Sequence, residues 1–167
     1  MSRRLFVALW PDAKVRHELS MLQARPLIRK ARGRTVSAKN IHMTLRFLAD
    51  VEASQQGALE ARLAEFVFEP VTLTLDRMGH WPRSGILWLG PGKTPRALSV
   101  AVQRLANQLR ALGYRADGRG FKVHVTLARD TRVAKRFAFS PVTWHAETMV
   151  LAASERLPQG ARYTVLA

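Results

Sequence analysis

The chain has 167 residues, 47% of them hydrophobic, and carries 27 Lys and Arg against 12 Asp and Glu, a formal net charge of +15. These values exclude a disordered or fibrous chain and fit one globular domain with a sizeable core. Because cysteine is absent, disulfides and thiolate chemistry are excluded, and we expect a reducing, cytoplasmic environment. The first apolar run, Leu5 to Trp10, is too short for a membrane span, so we expect no membrane association.

The excess of basic residues predicts a polyanionic partner, because such a field attracts anions and speeds their encounter. The basic residues are densest between Arg25 and Lys39, a stretch without an acid that contains Arg25, Arg29, Lys30, Arg32, Arg34 and Lys39. A solvated basic face is an equally weighted alternative.

Hydrophobic periodicity predicts four elements in the first half of the chain. They are a strand over Leu5 to Trp10, a helix from Pro11-Asp12 to about Leu27, a strand over Ile41 to Leu48 and a helix from Ser54 to about Phe66.

The second half begins with a predicted hairpin, in which Pro82-Arg83-Ser84-Gly85 joins strands Val71 to Leu75 and Ile86 to Leu89. A helix from about Pro95 to Leu112 follows and is stopped by Gly113. The loop Asp117-Gly118-Arg119-Gly120 either binds phosphate through backbone amides or only connects elements. Further strands are predicted near Pro141 to Ser154 and over Arg162 to Leu166.

The two halves repeat the order helix, loop, strand, which indicates two similar lobes facing each other across a groove. We therefore expect an α+β fold with antiparallel sheets. No linker is evident, so residues 1–167 are predicted to form a single domain with two pseudo-symmetric lobes, acting as a monomer.

One tetrapeptide pattern, His-x-Thr-Leu, occurs twice, as His42-Met43-Thr44-Leu45 and as His124-Val125-Thr126-Leu127. The composition of the chain would produce about 0.04 such matches by chance. In a strand, His and Thr two positions apart share one face, and the two residues between and after them share the other. Each motif therefore predicts a strand with an apolar core face and a His/Thr face that is turned to a cleft or to solvent.

Two histidines in one cleft can divide general acid and general base catalysis, because imidazole titrates near neutrality. Threonine hydroxyls beside them can donate hydrogen bonds to the oxygens of a phosphodiester. A mononuclear zinc site normally needs three protein ligands, and the sequence has no cysteine and no histidine-rich cluster. We therefore expect neither a metal nor another cofactor.

At this point the sequence resembles a known family, the two-histidine phosphoesterases, and within it the LigT-like bacterial RNA 2′,3′-cyclic phosphodiesterases, also called 2′-5′ RNA ligases. The likeness extends over essentially the whole chain. It is carried by the paired motifs and by the segments Arg4-Leu5-Phe6-Val7-Ala8-Leu9, Asn40 to Leu48, Gly79 to Gly90 and Phe121 to Arg129.

The resemblance implies two antiparallel sheets facing a central groove, with helices on the outside. It also implies metal-independent hydrolysis of a 2′,3′-cyclic phosphate on RNA or a nucleotide to a 2′-phosphate, with reversible 2′-5′ RNA ligation when a 5′-hydroxyl replaces water. In the family's usual assignment His42 is the proton donor, His124 the proton acceptor, and Thr44 and Thr126 hold the phosphate.

Four further residues are predicted substrate contacts: Arg46, Phe47, Arg129 and Trp81. By strand parity Arg46 shares the face of Thr44, and a solvated edge position is the equally weighted alternative. Parity places Arg129 opposite His124, so its role requires the strand to end or bulge near Ala128. Trp81 either lines a base-stacking rim or caps the core.

Two other functions stay open at this stage. One is a phosphodiesterase for small cyclic nucleotides such as ADP-ribose 1″,2″-cyclic phosphate. The other is a non-catalytic RNA-binding module that uses the same basic groove.

Overall fold

The computed structural model describes residues 2–29, 31, 33–115, 120–132, 138–158 and 160–167. Its helices are α1 (Ala13–Gln23), α2 (Pro26–Arg29), α3 (Ala53–Ala64) and α4 (Arg96–Ala111), with a 3₁₀ turn at Ala38–Asn40. Its strands are β1 (Ser2–Leu9), β2 (Arg34–Thr35), β3 (Met43–Glu52), β4 (Val71–Trp81), β5 (Ile86–Pro91), β6 (Val125–Arg129), β7 (Val142–Ala146), β8 (Met149–Leu157) and β9 (Gly160–Val165).

The strands of this described part form two sheets in which every pairing is antiparallel. Sheet A has the order β3-β1-β8-β9, and sheet B has the order β2-β6-β5-β4-β7. Each sheet contains one motif strand, β3 in sheet A and β6 in sheet B. The predicted α+β fold with antiparallel sheets is confirmed.

Each sheet has one face that packs on helices. Helix α1 contacts β6 and β7, whereas α3 and α4 contact β3. Alternate residues of β1, namely Leu5, Val7 and Leu9, enter a core that also contains sheet B residues such as Leu73, Leu89 and Trp144. The intervening residues Phe6 and Ala8 belong to a separate small cluster with Ala152, Trp10 and Tyr163. This opposite face of sheet A is called the groove face below.

The predicted elements are all present, but several bounds differ. Helix α1 ends at Gln23 instead of Leu27, and Pro26 begins the separate short helix α2, as expected for a residue that lacks a backbone N–H. Strand β4 extends to Trp81, beyond the predicted end at Leu75, and a register shift between Leu75 and Arg77 interrupts the alternation that the prediction used.

The short strand β2 and the 3₁₀ turn before His42 were not predicted, because two-residue and three-residue elements leave no periodic signal. Lys30, Arg32 and Asp117-Gly118-Arg119 lie outside the described residues, so the predictions made for them stay open.

The two sheets do not correspond to the two halves of the sequence. Sheet A combines β1 and β3 with β8 and β9, so the last two strands return to the sheet of the first. The repeated order of elements in the two halves is therefore not a division into two sheets, although the two motif strands do fall in different sheets.

Sheet B depends on a glycine beside the second motif. Gly79 pairs with Trp88, and a Cβ at Gly79 would overlap the Trp88 indole. We expect Gly79→Ala to destabilise the fold by about 1–3 kcal/mol, because the indole must leave its site. Gly57 is the matched control, since it lies in α3 with open space around it, so Gly57→Ala should stabilise by about 0.5–1 kcal/mol. Urea unfolding measures the change in the free energy of unfolding of each variant. If Gly79→Ala and Gly57→Ala changed it in the same direction, the packing described for Trp88 would be contradicted.

Candidate active site

The two motif histidines lie immediately before their strands and are held in the same way. His42 Nδ1 is 2.7 Å from the carbonyl oxygen of Asn40, and His124 Nδ1 is 2.7 Å from that of Lys122. A carbonyl can only accept, so each Nδ1 carries a proton and donates it. Each neutral ring therefore has its lone pair on Nε2, the nitrogen left for proton transfer.

His42 is enclosed by aromatic rings of the groove face. Its ring stacks on Trp10 at 5.3 Å between centroids with an interplanar angle of 10°. Phe6 and Tyr163 each approach it to 4.9 Å, the latter edge-on. This packing fixes the plane of the imidazole and removes much of its contact with water.

The hydroxyl of Thr44 lies on the same side of the chain as the first imidazole, as strand parity predicts. Thr44 Oγ1 is 3.0 Å from His42 Nε2. In the neutral ring this hydroxyl donates to Nε2. Thr44 pairs with Ala8, whose side chain lies on the groove face, so the hydroxyl also belongs to that face.

His124 is packed against a second tryptophan. The Trp81 ring meets it edge-to-face at 4.6 Å between centroids, and the Lys122 ammonium lies 5.3 Å from the Trp81 ring centre. Trp81 also contacts Trp88, which is directly opposite Thr126 in the β5–β6 register. Trp81 is only half-buried and flanks the second imidazole, so it does not cap the core.

Arg129 reaches the site because β6 contains a bulge. Thr126 pairs with Trp88 but Ala128 pairs with Leu87, which leaves Leu127 as an extra residue. Leu127 and Ala128 are both buried, and Arg129 is exposed on the side of Thr126. Its positive charge acts on both imidazoles. The irregularity that the sequence required near Ala128 is therefore present.

A second bulge gives the opposite result for Arg46. Thr44 pairs with Ala8 but Arg46 pairs with Val7, so Leu45 is the extra residue of β3. Val7 belongs to the helix-packed core, and Arg46 therefore leaves the face of Thr44. Its Nε is buried without a hydrogen-bond partner among the described residues. The parity argument that turned Arg46 toward the phosphate is wrong.

The same bulge returns Phe47 to the groove face. Phe47 pairs with Phe6, the two ring centroids are 6.1 Å apart, and 56% of Phe47 is exposed. A large exposed aromatic ring next to the imidazole cluster is a surface on which a flat group can stack.

Both imidazoles are electrostatically perturbed. Burial lowers the pKa of His42 to about 4, partly offset by the hydrogen bond to Asn40, and the positive charges of Arg129 and His124 lower it further. Burial also lowers the pKa of His124. The hydrogen bond to the Lys122 carbonyl acts in the opposite direction, and the positive charges of Arg129 and Lys122 lower the pKa further. The charges of Arg129 and His124, which belong to the second motif segment, thus reach the ring of the first motif.

Four residues of the site were missed from the sequence: Phe6, Trp10, Tyr163 and Asn40. The first two lie in the apolar run that was assigned to the core, and alternation along β1 could have separated Phe6 from Leu5 and Val7. Asn40 is 7% exposed and donates from Nδ2 to the Ala161 carbonyl at 2.7 Å. No local pattern connects Tyr163 or Ala161 with His42, because they are far along the chain.

Two of the other three histidines lie elsewhere. His17 is exposed on α1, and His145 is exposed and hydrogen-bonds to Thr72 on sheet B. Within the described ranges no three His, Cys, Asp or Glu side chains form a cluster that could hold a metal ion. In the same part of the chain no helix is both long and apolar enough to span a bilayer.

Comparison with known sequences gives the family. The sequence pattern described as LigT like Phosphoesterase matches twice, over residues 9–88 and over residues 89–163, and each match contains one motif. The chain belongs to the LigT-like phosphoesterases. This LigT-like phosphoesterase is 36% identical to the RNA 2′,3′-cyclic phosphodiesterase of Escherichia coli K12 over 167 residues, covering 98% of this chain and 94% of that protein. It is 30% identical to the protein of the same name from Archaeoglobus fulgidus over 136 residues, covering 77% and 73%.

Solved structures show the same fold. E. coli LigT in its apo form has a TM-score of 0.86 and 32% identity, covering 99% of this chain and 95% of that one. E. coli LigT complexed with 3′-AMP has a TM-score of 0.85 and 32% identity, covering 100% and 97%. The two-lobed, two-sheet architecture expected from the resemblance is confirmed.

The buried position of His42 predicts a pH dependence of stability. Because the pKa of His42 is about 4 in the folded chain and near 6.5 when unfolded, the unfolded state binds more protons between these values. Stability should therefore be complete above about pH 6.5 and fall as the pH drops toward 4, by on the order of 3 kcal/mol.

Urea unfolding between pH 8 and pH 4 measures this loss. We expect His42→Gln to reduce the loss, leaving the part that comes from the lowered pKa of His124, whereas His17→Gln, the exposed control on α1, should leave the curve unchanged. An identical acid slope in the wild type and His42→Gln would contradict the assigned burial.

Proposed function

We propose that this chain hydrolyses 2′,3′-cyclic phosphate ends of RNA to 2′-phosphates by acid and base catalysis without a metal ion. The observation that carries the proposal is the paired geometry of His42 and His124, each anchored through Nδ1 and each under the influence of Arg129. The name that the E. coli and A. fulgidus relatives share supports the substrate class.

In the proposed reaction His124 Nε2 takes a proton from a water molecule as its oxygen attacks phosphorus. The bond between phosphorus and the 3′-oxygen breaks, and His42 gives its Nε2 proton to that oxygen. The products are a 2′-phosphomonoester and a 3′-hydroxyl. Exchange with solvent then restores the proton to His42 and removes it from His124. A 5′-hydroxyl in the place of water would give a 2′-5′ linkage by the same steps.

Thr44, Thr126 and Arg129 are the proposed phosphate ligands. The Thr44 hydroxyl lies beside His42, and Thr126 lies two residues after His124 in the second motif, opposite Trp88. Both hydroxyls would donate to non-bridging oxygens, and the guanidinium would supply the positive charge that the transition state requires. Arg46 is not proposed as a ligand, because its strand position faces the core.

The lowered pKa of His42 is compatible with its role as proton donor once the substrate is bound. In the free site His42 is neutral near pH 7, and burial and Arg129 keep it so. An anionic phosphate between the rings would offset the charge of Arg129 and raise the pKa of both imidazoles. The substrate would therefore bring about the protonated state that its own cleavage needs.

Phe47 and Trp81 are the proposed contacts for the base of the terminal nucleotide. Both are aromatic: Trp81 packs on His124, and Phe47 lies next to Phe6, which contacts His42. Stacking on an aromatic ring tolerates every base. We therefore expect little preference among the four bases. That the protein acts as a cytoplasmic monomer stays a prediction.

The acid and base roles predict the effect of two substitutions. His42→Ala and His124→Ala should each lower kcat by at least about 10²-fold on a cyclic-phosphate oligonucleotide in the presence of EDTA. The double variant should be little slower than either single variant, because the pair acts as a unit. His145→Ala is the matched control and should keep wild-type kcat. Activity that survives either motif substitution, or that EDTA removes, would overturn the mechanism.

Substrate size separates RNA from small cyclic nucleotides. If the basic surface holds an RNA backbone, kcat/KM for an oligonucleotide should fall steeply with salt, whereas that for a mononucleotide 2′,3′-cyclic phosphate should change far less. ADP-ribose 1″,2″-cyclic phosphate is the third substrate of the assay. If kcat/KM fell equally with salt for the oligonucleotide and the mononucleotide, and were higher for the ADP-ribose compound, the small cyclic nucleotide and not RNA would be the substrate.

A further inference from the structure

A buried glutamine connects the first helix with the second motif. Gln23, the last residue of α1, is 6% exposed. Its Nε2 donates to the Leu127 carbonyl oxygen at 2.7 Å and to the Val36 carbonyl oxygen at 2.9 Å. A side-chain amide is rarely buried unless the protein restores its hydrogen bonds, because removing it from water is otherwise unfavourable.

Leu127 is the extra residue of the β6 bulge, so Gln23 bonds to the carbonyl group at the point where the strand changes face. The same oxygen also accepts from the Val36 N–H at 2.9 Å. A bulge interrupts ladder pairing, and its backbone groups need other partners. Among the described residues, the Val36 N–H continues the β2–β6 pairing and the Gln23 amide supplies a further donor to this oxygen.

The bulge decides where Arg129 lies. In regular alternation Arg129 would share the helix-packed face of Val125 and Leu127, and the extra residue moves it to the face of Thr126. The surroundings are tight, since a Cβ at Gly33 would come within 2.5 Å of the Arg129 carbonyl oxygen. The backbone of Arg129 is therefore held from the neighbouring segment as well.

From these contacts we infer that Gln23 is a positioning residue for phosphate binding: it holds the Leu127 bulge that directs Arg129 into the groove. This inference rests on the proposed role of Arg129 and extends the site to a helix that touches no substrate. A group that must be placed within a fraction of an ångström loses much of its effect when its support is removed.

A double-mutant cycle tests the inference. Gln23→Met keeps the size of the side chain and removes both N–H donors. We expect it to lower kcat/KM for a 2′,3′-cyclic phosphate at least 10-fold, mainly through KM, and to weaken inorganic phosphate binding at least 5-fold by calorimetry. In the Arg129→Ala background the same substitution should change either quantity less than 2-fold, because the group it positions is gone.

The controls separate positioning from loss of stability. Gln108→Met makes the same exchange at a half-buried position of α4, and Leu105→Ala weakens the core of that helix. Both should keep wild-type kcat/KM while folded. If Gln23→Met does not fold, Gln23→Glu takes its place. Its carboxyl group can donate only when protonated, so its kcat/KM relative to the wild type should rise as the pH falls.

The outcomes are distinct. Equal effects of Gln23→Met with and without Arg129, or unchanged phosphate affinity in the folded variant, would overturn the positioning role. A wild type that binds phosphate but hydrolyses no cyclic phosphate would overturn the proposed function, and the cycle on phosphate affinity would still decide the role of Gln23.

Discussion

The site depends on one short hydrogen bond made twice, from the Nδ1 of each motif histidine to the carbonyl group two residues before it. This bond sets the tautomer, fixes the ring against its own backbone and directs Nε2 away from the chain. It also explains why each histidine precedes its strand instead of lying within it. A carbonyl turned toward the Nδ1 of the imidazole is less available to a neighbouring strand.

The sequence was sufficient for the motif pair, the fold class and the helix-packed core, because each rests on local spacing. Val15, Leu19 and Leu22 recur at helical intervals and are all buried. Parity also placed Thr44 beside His42. These features need only the geometry of one element, which periodicity reports directly.

Parity failed where backbone irregularity intervened. The two bulges at Leu45 and Leu127 have opposite effects: one removes Arg46 from the groove face, and the other brings Arg129 to it. The amino acids at these positions do not indicate a bulge, because leucine is also common in regular strands. Tyr163 and Gln23 could not be assigned either, since their partners are distant in sequence and only the sheet order brings them together.

The strand order of sheet A also constrains the order in which the chain can fold. Strand β1 lies between β3, which is nearby in sequence, and β8, which is synthesised after every strand of sheet B. While the chain emerges from the ribosome, β1 therefore has one open edge, and an open edge can pair with a wrong partner. Tyr163, which packs against His42, belongs to β9. The first histidine is therefore synthesised early, but its aromatic surroundings are complete only when β9 has been added. Protection of the β1 edge until β8 arrives is thus a requirement of this topology during translation.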